Sequence, residues 1–116
     1  MQYDVILTPF FKRCVKKLQK RFPSVKNDIR LAIEVLLENP KVGAAIPGGL
    51  GVRKLRVKNS DMKKGKSGSY RLIYYNNEPS LEIIYLLLLY AKSDQENLSN
   101  KDLKDLLDFI NETSGS

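Results

Sequence analysis

The sequence predicts an α+β domain with the element order β-α-α-β-β-β-α. A small, mostly antiparallel sheet carries a helical hairpin on one face and ends in a C-terminal helix. Three observations support that expectation. Apolar residues recur at helical spacing in two adjoining stretches of the N-terminal third. The middle of the chain switches to three β-prone runs separated by turn residues. A last amphipathic stretch returns to helical spacing. At 116 residues the chain has the size of one domain. We read that domain as residues 1–112 followed by a frayed tail at 113–116.

Residues 3–7 are β-prone and read as a short strand. Thr8 and Pro9 follow as an N-cap and a proline at the first helical position, where its missing N–H costs nothing. Phe11, Cys14, Val15 and Leu18 then form an apolar stripe, and Lys12, Arg13, Lys16, Lys17 and Lys20 fall largely on the rest of the helix. Cys14 lies inside the stripe and so reads as a core thiol, not a nucleophile. Phe22-Pro23 ends this helix, and Ser24 is expected to cap a second. There Val25, Ile29, Ala32, Ile33 and Leu36 share a face, and Asn39-Pro40 stops it. Two helices joined by so short a turn read as a hairpin.

Residues 43–51, with Pro47-Gly48-Gly49, read as a loop. Residues 52–57 alternate, residues 69–75 are aromatic and β-branched, and residues 81–90 are almost wholly apolar. The last run suits a strand buried on both faces, and therefore a central one. Asn76-Asn77-Glu78-Pro79 is a hairpin-type connection. Ser99 is expected to cap the final helix, with Leu103, Leu106, Leu107 and Ile110 on one side and Asp102 in a capping-box-like place.

Charge narrows the chemistry. The net charge is +7 and there is no histidine. That absence excludes Ser-His-Asp and Cys-His nucleophile systems, His-based metal sites and a histidine acid-base pair. A single cysteine forms neither an internal disulfide nor a Cys-rich zinc site. The charge is unevenly spread: residues 1–30 carry +6, residues 41–75 carry +8, and residues 76–116 carry −5. A basic middle with an acidic end points to a polyanion-binding face. The start of the chain has no basic segment leading into an apolar one, as a signal peptide would. The longest apolar run, residues 83–91, is about half of the ~20 residues a membrane helix needs. A soluble, cytoplasmic protein without a membrane partner is expected.

Strand period two places Lys54 and Arg56 on one face, opposite Arg53, Leu55 and Val57. Arg71, Ile73 and Tyr75 share a face opposite Tyr70, Leu72 and Tyr74. On the last strand Ile84, Leu86, Leu88, Tyr90 and Lys92 are expected to alternate with Ile83, Tyr85, Leu87 and Leu89. With the helical hairpin on one side, Lys54, Arg56, Arg71, Tyr90 and Lys92 would occupy an open face for ligand. A charge set mid-strand beside apolar neighbours is costly to bury unpaired and so needs a reason. The bland alternative is a solvated face with salt bridges to Asp94 or Glu82. Tyr70, Tyr74 and Tyr85 read as core aromatics. The loop 58–69 holds Lys63, Lys64 and Lys66. Its Gly65-Lys66-Ser67 lacks the earlier glycine of a P-loop, since Ser60 stands there, and a strand follows instead of a helix. This basic loop, with Lys58, and the cationic helix face with Lys12 and Lys16 suit contacts to an RNA backbone.

Lys54-Leu55-Arg56-Val57, then Gly65-Lys66-Ser67-Gly68-Ser69-Tyr70-Arg71-Leu72-Ile73-Tyr74-Tyr75, closely resembles the signature of RelE/HigB-type toxins. So does Ile84-Tyr85-Leu86-Leu87-Leu88-Leu89-Tyr90-Ala91-Lys92-Ser93-Asp94, followed by Glu96-Asn97-Leu98-Ser99. The match is strongest over about residues 45–107. The resemblance implies the toxin of a bacterial type II toxin–antitoxin pair, which cuts mRNA in the ribosomal A site. In that family the mRNA 2′-hydroxyl attacks the adjacent phosphate, leaving a 2′,3′-cyclic phosphate and a 5′-hydroxyl without metal or cofactor. Cations stabilise the charge that develops, and a lysine of lowered pKa is a possible base.

By position, Arg71 resembles the family's phosphate-holding arginine. Lys54 and Arg56 resemble its basic pair, one of which is a possible base, and Lys92 resembles the basic residue that ends the last strand. Implied partners are a small DNA-binding antitoxin, mRNA and the ribosome with its rRNA, and operator DNA reached only through the antitoxin. The sequence departs from RelE at two points. Ser93 stands where RelE has a further arginine, and no tyrosine occurs from Ser93 onward, where RelE has a catalytic one. Tyr90 and Tyr75 are the candidates to replace it. Two other functions fit the chain less well. One is a ParE-like gyrase-binding toxin, which generally lacks the sheet cations. The other is a binding module of a DNA repressor complex, whose recognition helix would have to be the first.

Overall fold

A computed structural model describes residues 3–48, 51–62, 68–76, 82–95 and 97–114. β1 (Asp4–Leu7), α1 (Pro9–Gln19) and α2 (Val25–Glu38) are followed by four strands: β2 (Ala44–Ala45), β3 (Val52–Val57), β4 (Tyr70–Tyr75) and β5 (Ile83–Ala91). The chain closes with α3 (Asn100–Ser114). The strands form one sheet in the order β1-β5-β4-β3-β2. Only the β1–β5 pairing is parallel; the other three are antiparallel. This is the expected mixed, mostly antiparallel α+β arrangement, with the apolar β5 flanked on both sides.

Local chemistry explains the helix starts. Thr8 Oγ1 accepts from Phe11 N at 3.2 Å and donates to the Leu86 carbonyl at 2.9 Å, so one side chain caps α1 and ties it to β5. Lys16 and Lys17 in the last turn of α1 suit the negative end of its dipole. Ser99 caps α3 through Asp102 N at 3.0 Å. Ser24 departs from expectation: its side chain makes no cap hydrogen bond. Instead its N–H donates to Asp61 Oδ2 at 2.8 Å, so the segment after β3 supplies the acceptor. Asp28, buried in the first turn of α2, accepts from Ser60 N and Oγ and holds the same segment.

The stretch 43–51, expected as loop throughout, contains the two-residue β2. Tyr74 builds it: its hydroxyl donates to the Pro40 carbonyl at 2.7 Å and accepts from Gly43 N at 2.9 Å. A Cβ at Gly43 would lie 2.9 Å from both Tyr74 and the Lys54 carbonyl oxygen, so only glycine fits this approach. Arg53 adds hydrogen bonds to the Lys41 and Gly43 carbonyls. α3 continues through Ser114, two residues into the stretch assigned to a tail.

Two cores lie on opposite faces of the sheet. Phe11, Val15, Leu18, Val25, Ile29 and Leu36 of the hairpin pack on Val57, Tyr70, Leu72, Tyr74, Ile84, Leu86 and Leu89. On the other face Leu106 and Ile110 of α3 pack on Val52, Ile73, Tyr75, Leu87, Leu88 and Tyr90. The face expected to be open is therefore partly roofed by α3. The strict alternation expected along β5 also fails. Ile73 pairs with Leu88 but Tyr74 pairs with Leu86, so Leu87 is an extra residue in a bulge. Leu87 and Leu88 both turn toward α3, while Ile84 and Leu86 face the hairpin. Cys14 is half-buried in this packing, and burial pushes its thiol pKa up, as a core thiol's should be. No helix among the described residues is long and apolar enough to cross a membrane.

Candidate nucleic-acid site

The site is a lattice set by strand register. Arg56 on β3 stands directly opposite Arg71 on β4, and Arg71 directly opposite Tyr90 on β5. The next row holds Lys54, Ile73 and Leu88. In the other direction the Lys92 N–H donates to the Ser69 carbonyl at 3.0 Å, extending the ladder past Tyr70 and Ala91. Neighbouring strands lie about 4.8 Å apart, so Lys54, Arg56, Arg71 and Lys92 converge on one corner of the α3-side face. Arg56 is exposed, and Lys54, Arg71 and Lys92 are half-buried. The bulge in β5 lies before Tyr90, between it and Leu86, and leaves the Arg56–Arg71–Tyr90 row intact.

Among the described residues, no ion pair neutralises the charge of this corner. Like charges directly opposite each other on adjacent strands are destabilising, and Arg56 and Arg71 are so placed. The ion pairs among the described residues join Arg21 to Asp94, Arg30 to Glu34 and Lys101 to Asp105. None takes up a cation of the corner. Asp94, one of the two acids a solvated-face reading would assign to these cations, is held by Arg21 through two hydrogen bonds. That pair ties the end of α1 to the turn after β5, next to Lys92.

Two of the four cations have neutral partners. Arg71 Nη1 donates to Ser69 Oγ at 2.5 Å and to the Tyr70 carbonyl at 3.2 Å. Lys54 Nζ donates to Asn97 Oδ1 at 3.5 Å. Ser69 and Asn97 were not among the candidates from sequence. Ser69 was findable, because residues 69 and 71 share a face of an extended chain. Asn97 was not, because its approach to β3 depends on where α3 begins.

Tyr90 needs correction as a group open to ligand. It is 6% exposed and packed under α3. Burial pushes its phenol pKa up, Arg71 opposes that shift, and Asp102 adds to it. The phenol therefore stays protonated at neutral pH, a donor and not a base. Tyr75, 4% exposed, is equally unable to offer its ring to a base. Lys12 and Lys16 are exposed on α1, which packs on the opposite face, where they rim a groove floored by Leu7, Val15, Ile29 and Ile33. The structure does not bring them to the corner. Lys58 is exposed immediately after β3. Lys63, Lys64 and Lys66 lie outside the described residues. No group of three or more His, Cys, Asp or Glu able to hold a metal ion occurs among the described residues.

No protein-family model matches the sequence. Among solved structures, the chain is similar to the E. coli toxin RelE in the free state, solved as a double arginine-to-alanine mutant. The TM-score is 0.61 at 15% identity, over 95% of this chain and 99% of that one. At that identity the likeness speaks for backbone architecture, and it spans nearly the whole of both chains. The protein has the fold of a RelE toxin.

Proposed function

We propose that this protein is the toxin of a type II toxin–antitoxin pair and acts as a ribosome-dependent mRNA endonuclease. The observation that carries the reading is the Arg56–Arg71 cross-strand pair, flanked by Lys54 and Lys92 and joined to no carboxylate by an ion pair among the described residues. Such a corner is unfavourable when empty and favourable around an anion that gains negative charge during reaction. An RNA phosphate attacked by its own neighbouring 2′-hydroxyl is such an anion. The O2′–P bond forms, the P–O5′ bond breaks, and the products are a 2′,3′-cyclic phosphate and a 5′-hydroxyl.

Arg56 and Arg71 present guanidinium groups, which offer donors and no acceptor, and so serve as fixed positive charge. Lys54 and Lys92 are the groups able to exchange a proton, from the 2′-hydroxyl and to the departing O5′. Tyr90 packs beside Arg71 at the end of the row. A cluster of cations repels a divalent metal, so guanidinium and ammonium groups supply the charge stabilisation. Lys58 and the lysines Lys63, Lys64 and Lys66 are the further cations assigned to contacts with the RNA backbone. With no base of histidine type, the ribosome's alignment of the mRNA supplies the positioning that the site lacks.

The partner in the resting cell is a small DNA-binding antitoxin whose acidic or apolar segment covers the cationic face. Operator DNA is reached only through it, and the pair resides in the cytoplasm. Expression without antitoxin is expected to arrest growth and to yield mRNA cut within translated codons, with 5′-hydroxyl ends. Arg71→Ala should abolish both effects in a protein that remains folded. Intact mRNA with supercoiling defects in arrested cells would instead identify a gyrase-directed toxin.

A further inference from the structure

Ser69 is 5% exposed and lies just before β4, and both its side chain and its backbone are engaged at the cationic corner. Its Oγ accepts from Arg71 Nη1 at 2.5 Å, and its carbonyl oxygen accepts from Lys92 N at 3.0 Å. It thus stands beside Arg71 along β4 and opposite Lys92 across the ladder. One uncharged residue bonds the Arg71 guanidinium through its side chain and the Lys92 backbone through its carbonyl.

We infer that Ser69 is a positioning residue for the phosphate site: its hydroxyl aims the Arg71 guanidinium and its carbonyl sets the backbone that carries Lys92. The inference rests on the nuclease reading and names a residue that reading does not require. The donor count supports it. A guanidinium has five N–H donors, and both bonds that Arg71 makes, to Ser69 Oγ and the Tyr70 carbonyl, leave from Nη1. The Nη2–Nε edge therefore has no protein acceptor among the described residues. That edge is the fork whose two parallel N–H groups match two phosphate oxygens.

Electrostatics gives the anchor its purpose. Arg56 is directly opposite and repels the Arg71 guanidinium. Without a fixed acceptor, Arg71 would spread over its rotamers, away from Arg56. The cost of gathering it would then fall on phosphate binding and on the transition state. The Ser69 hydroxyl bears that cost during folding.

Ser69→Ala, Ser69→Thr and Ser69→Val test this, with Thr and Val alike in shape and differing in the hydroxyl. In single-turnover cleavage of mRNA on programmed ribosomes, Ser69→Ala and Ser69→Val should slow the saturated rate on the order of 10–100-fold. The half-saturating ribosome concentration should move less than about threefold, and Ser69→Thr should recover the rate. NMR of the Arg71 side chain gives a readout that needs no substrate. Its guanidinium N–H signals should be resolved in the wild type and in Ser69→Thr, and averaged by rotation in Ser69→Ala and Ser69→Val. Titrated with inorganic phosphate, Arg71 should saturate at lower concentration in the wild type than in Ser69→Val.

Ser69→Val cleaving as fast as Ser69→Thr, or Arg71 signals unchanged in Ser69→Ala, overturns the proposal. Wild-type protein that leaves ribosome-bound mRNA intact overturns the nuclease reading instead. The Arg71 signals and the phosphate titration then still decide whether Ser69 aims the guanidinium. Should Ser69→Ala fail to fold, the Thr/Val pair carries the same comparison.

Discussion

Replacing Arg56 with glutamine should stabilise the fold while removing its activity. Arg56 and Arg71 are directly paired across β3 and β4. Directly opposed residues have Cβ atoms about 5 Å apart, and a charge separation of roughly 6–7 Å is taken for two long side chains that splay from that spacing. Arg56 is exposed, so an effective dielectric of about 40–80 applies, giving roughly 0.6–1.3 kcal/mol of repulsion before screening. A Debye length of about 8 Å at physiological salt reduces this to roughly 0.3–0.6 kcal/mol. For a domain of this size that raises Tm by about 1–3 °C.

The assay is thermal unfolding of wild type and Arg56→Gln at physiological and at molar salt. The gain should nearly vanish at 1 M salt, where the Debye length is about 3 Å. Inorganic phosphate should raise the Tm of the wild type more than that of the variant, because the anion relieves the same repulsion. Ribosome-dependent cleavage should fall on the order of 100-fold in the variant. A Tm lowered at physiological salt, or a gain that persists unchanged at 1 M salt, would refute the reasoning that this pair is an uncompensated anion site.

Two further outcomes follow from the packing. Tyr74→Phe removes the hydroxyl that bridges the Pro40 carbonyl and Gly43 N, leaving both backbone groups short of a partner. It should cost about 2–3 kcal/mol, read as a lower denaturant midpoint at unchanged m-value. Tyr70, Tyr74 and Tyr90 all have phenol pKa values raised chiefly by burial. In the unfolded chain these phenols ionise near pH 10, so the folded state binds their protons more tightly. Their contribution is full below about pH 10 and is lost as pH rises through the higher folded values. Stability should therefore fall steeply above about pH 10, with tyrosinate absorbance rising in step with loss of structure. Ionisation of all tyrosines near pH 10 with the fold intact would count against the burial described.

Much of the site was legible from strand period alone. Lys54 and Arg56 had to share a side of β3, and Arg71 had to lie opposite Tyr70, Leu72 and Tyr74, whatever the sheet order. The signals that misled were those in which one local rule competes with a partner distant in sequence. Ser24 has the chemistry of an N-cap, but Asp61, 37 residues away, supplies the acceptor. The stretch after α2 has loop composition, yet Tyr74 from β4 draws Gly43 close enough for Ala44–Ala45 to pair with β3. A run of four leucines carries no mark of which one will be the extra residue of a bulge.

The sequence by itself determined the elements, their order and the segregation of charge, because period, caps and breakers act within a few residues. It also determined that any catalysis here proceeds without histidine. Only the tertiary structure decided that α3 roofs part of the face expected to be open, burying Tyr90 and Tyr75 and confining the cations to one corner. Only the strand register decided that Arg56 faces Arg71 with Asp94 already taken by Arg21. Those outcomes depend on which apolar surfaces bury each other and on how far one strand slides along the next. No window of local sequence contains that information.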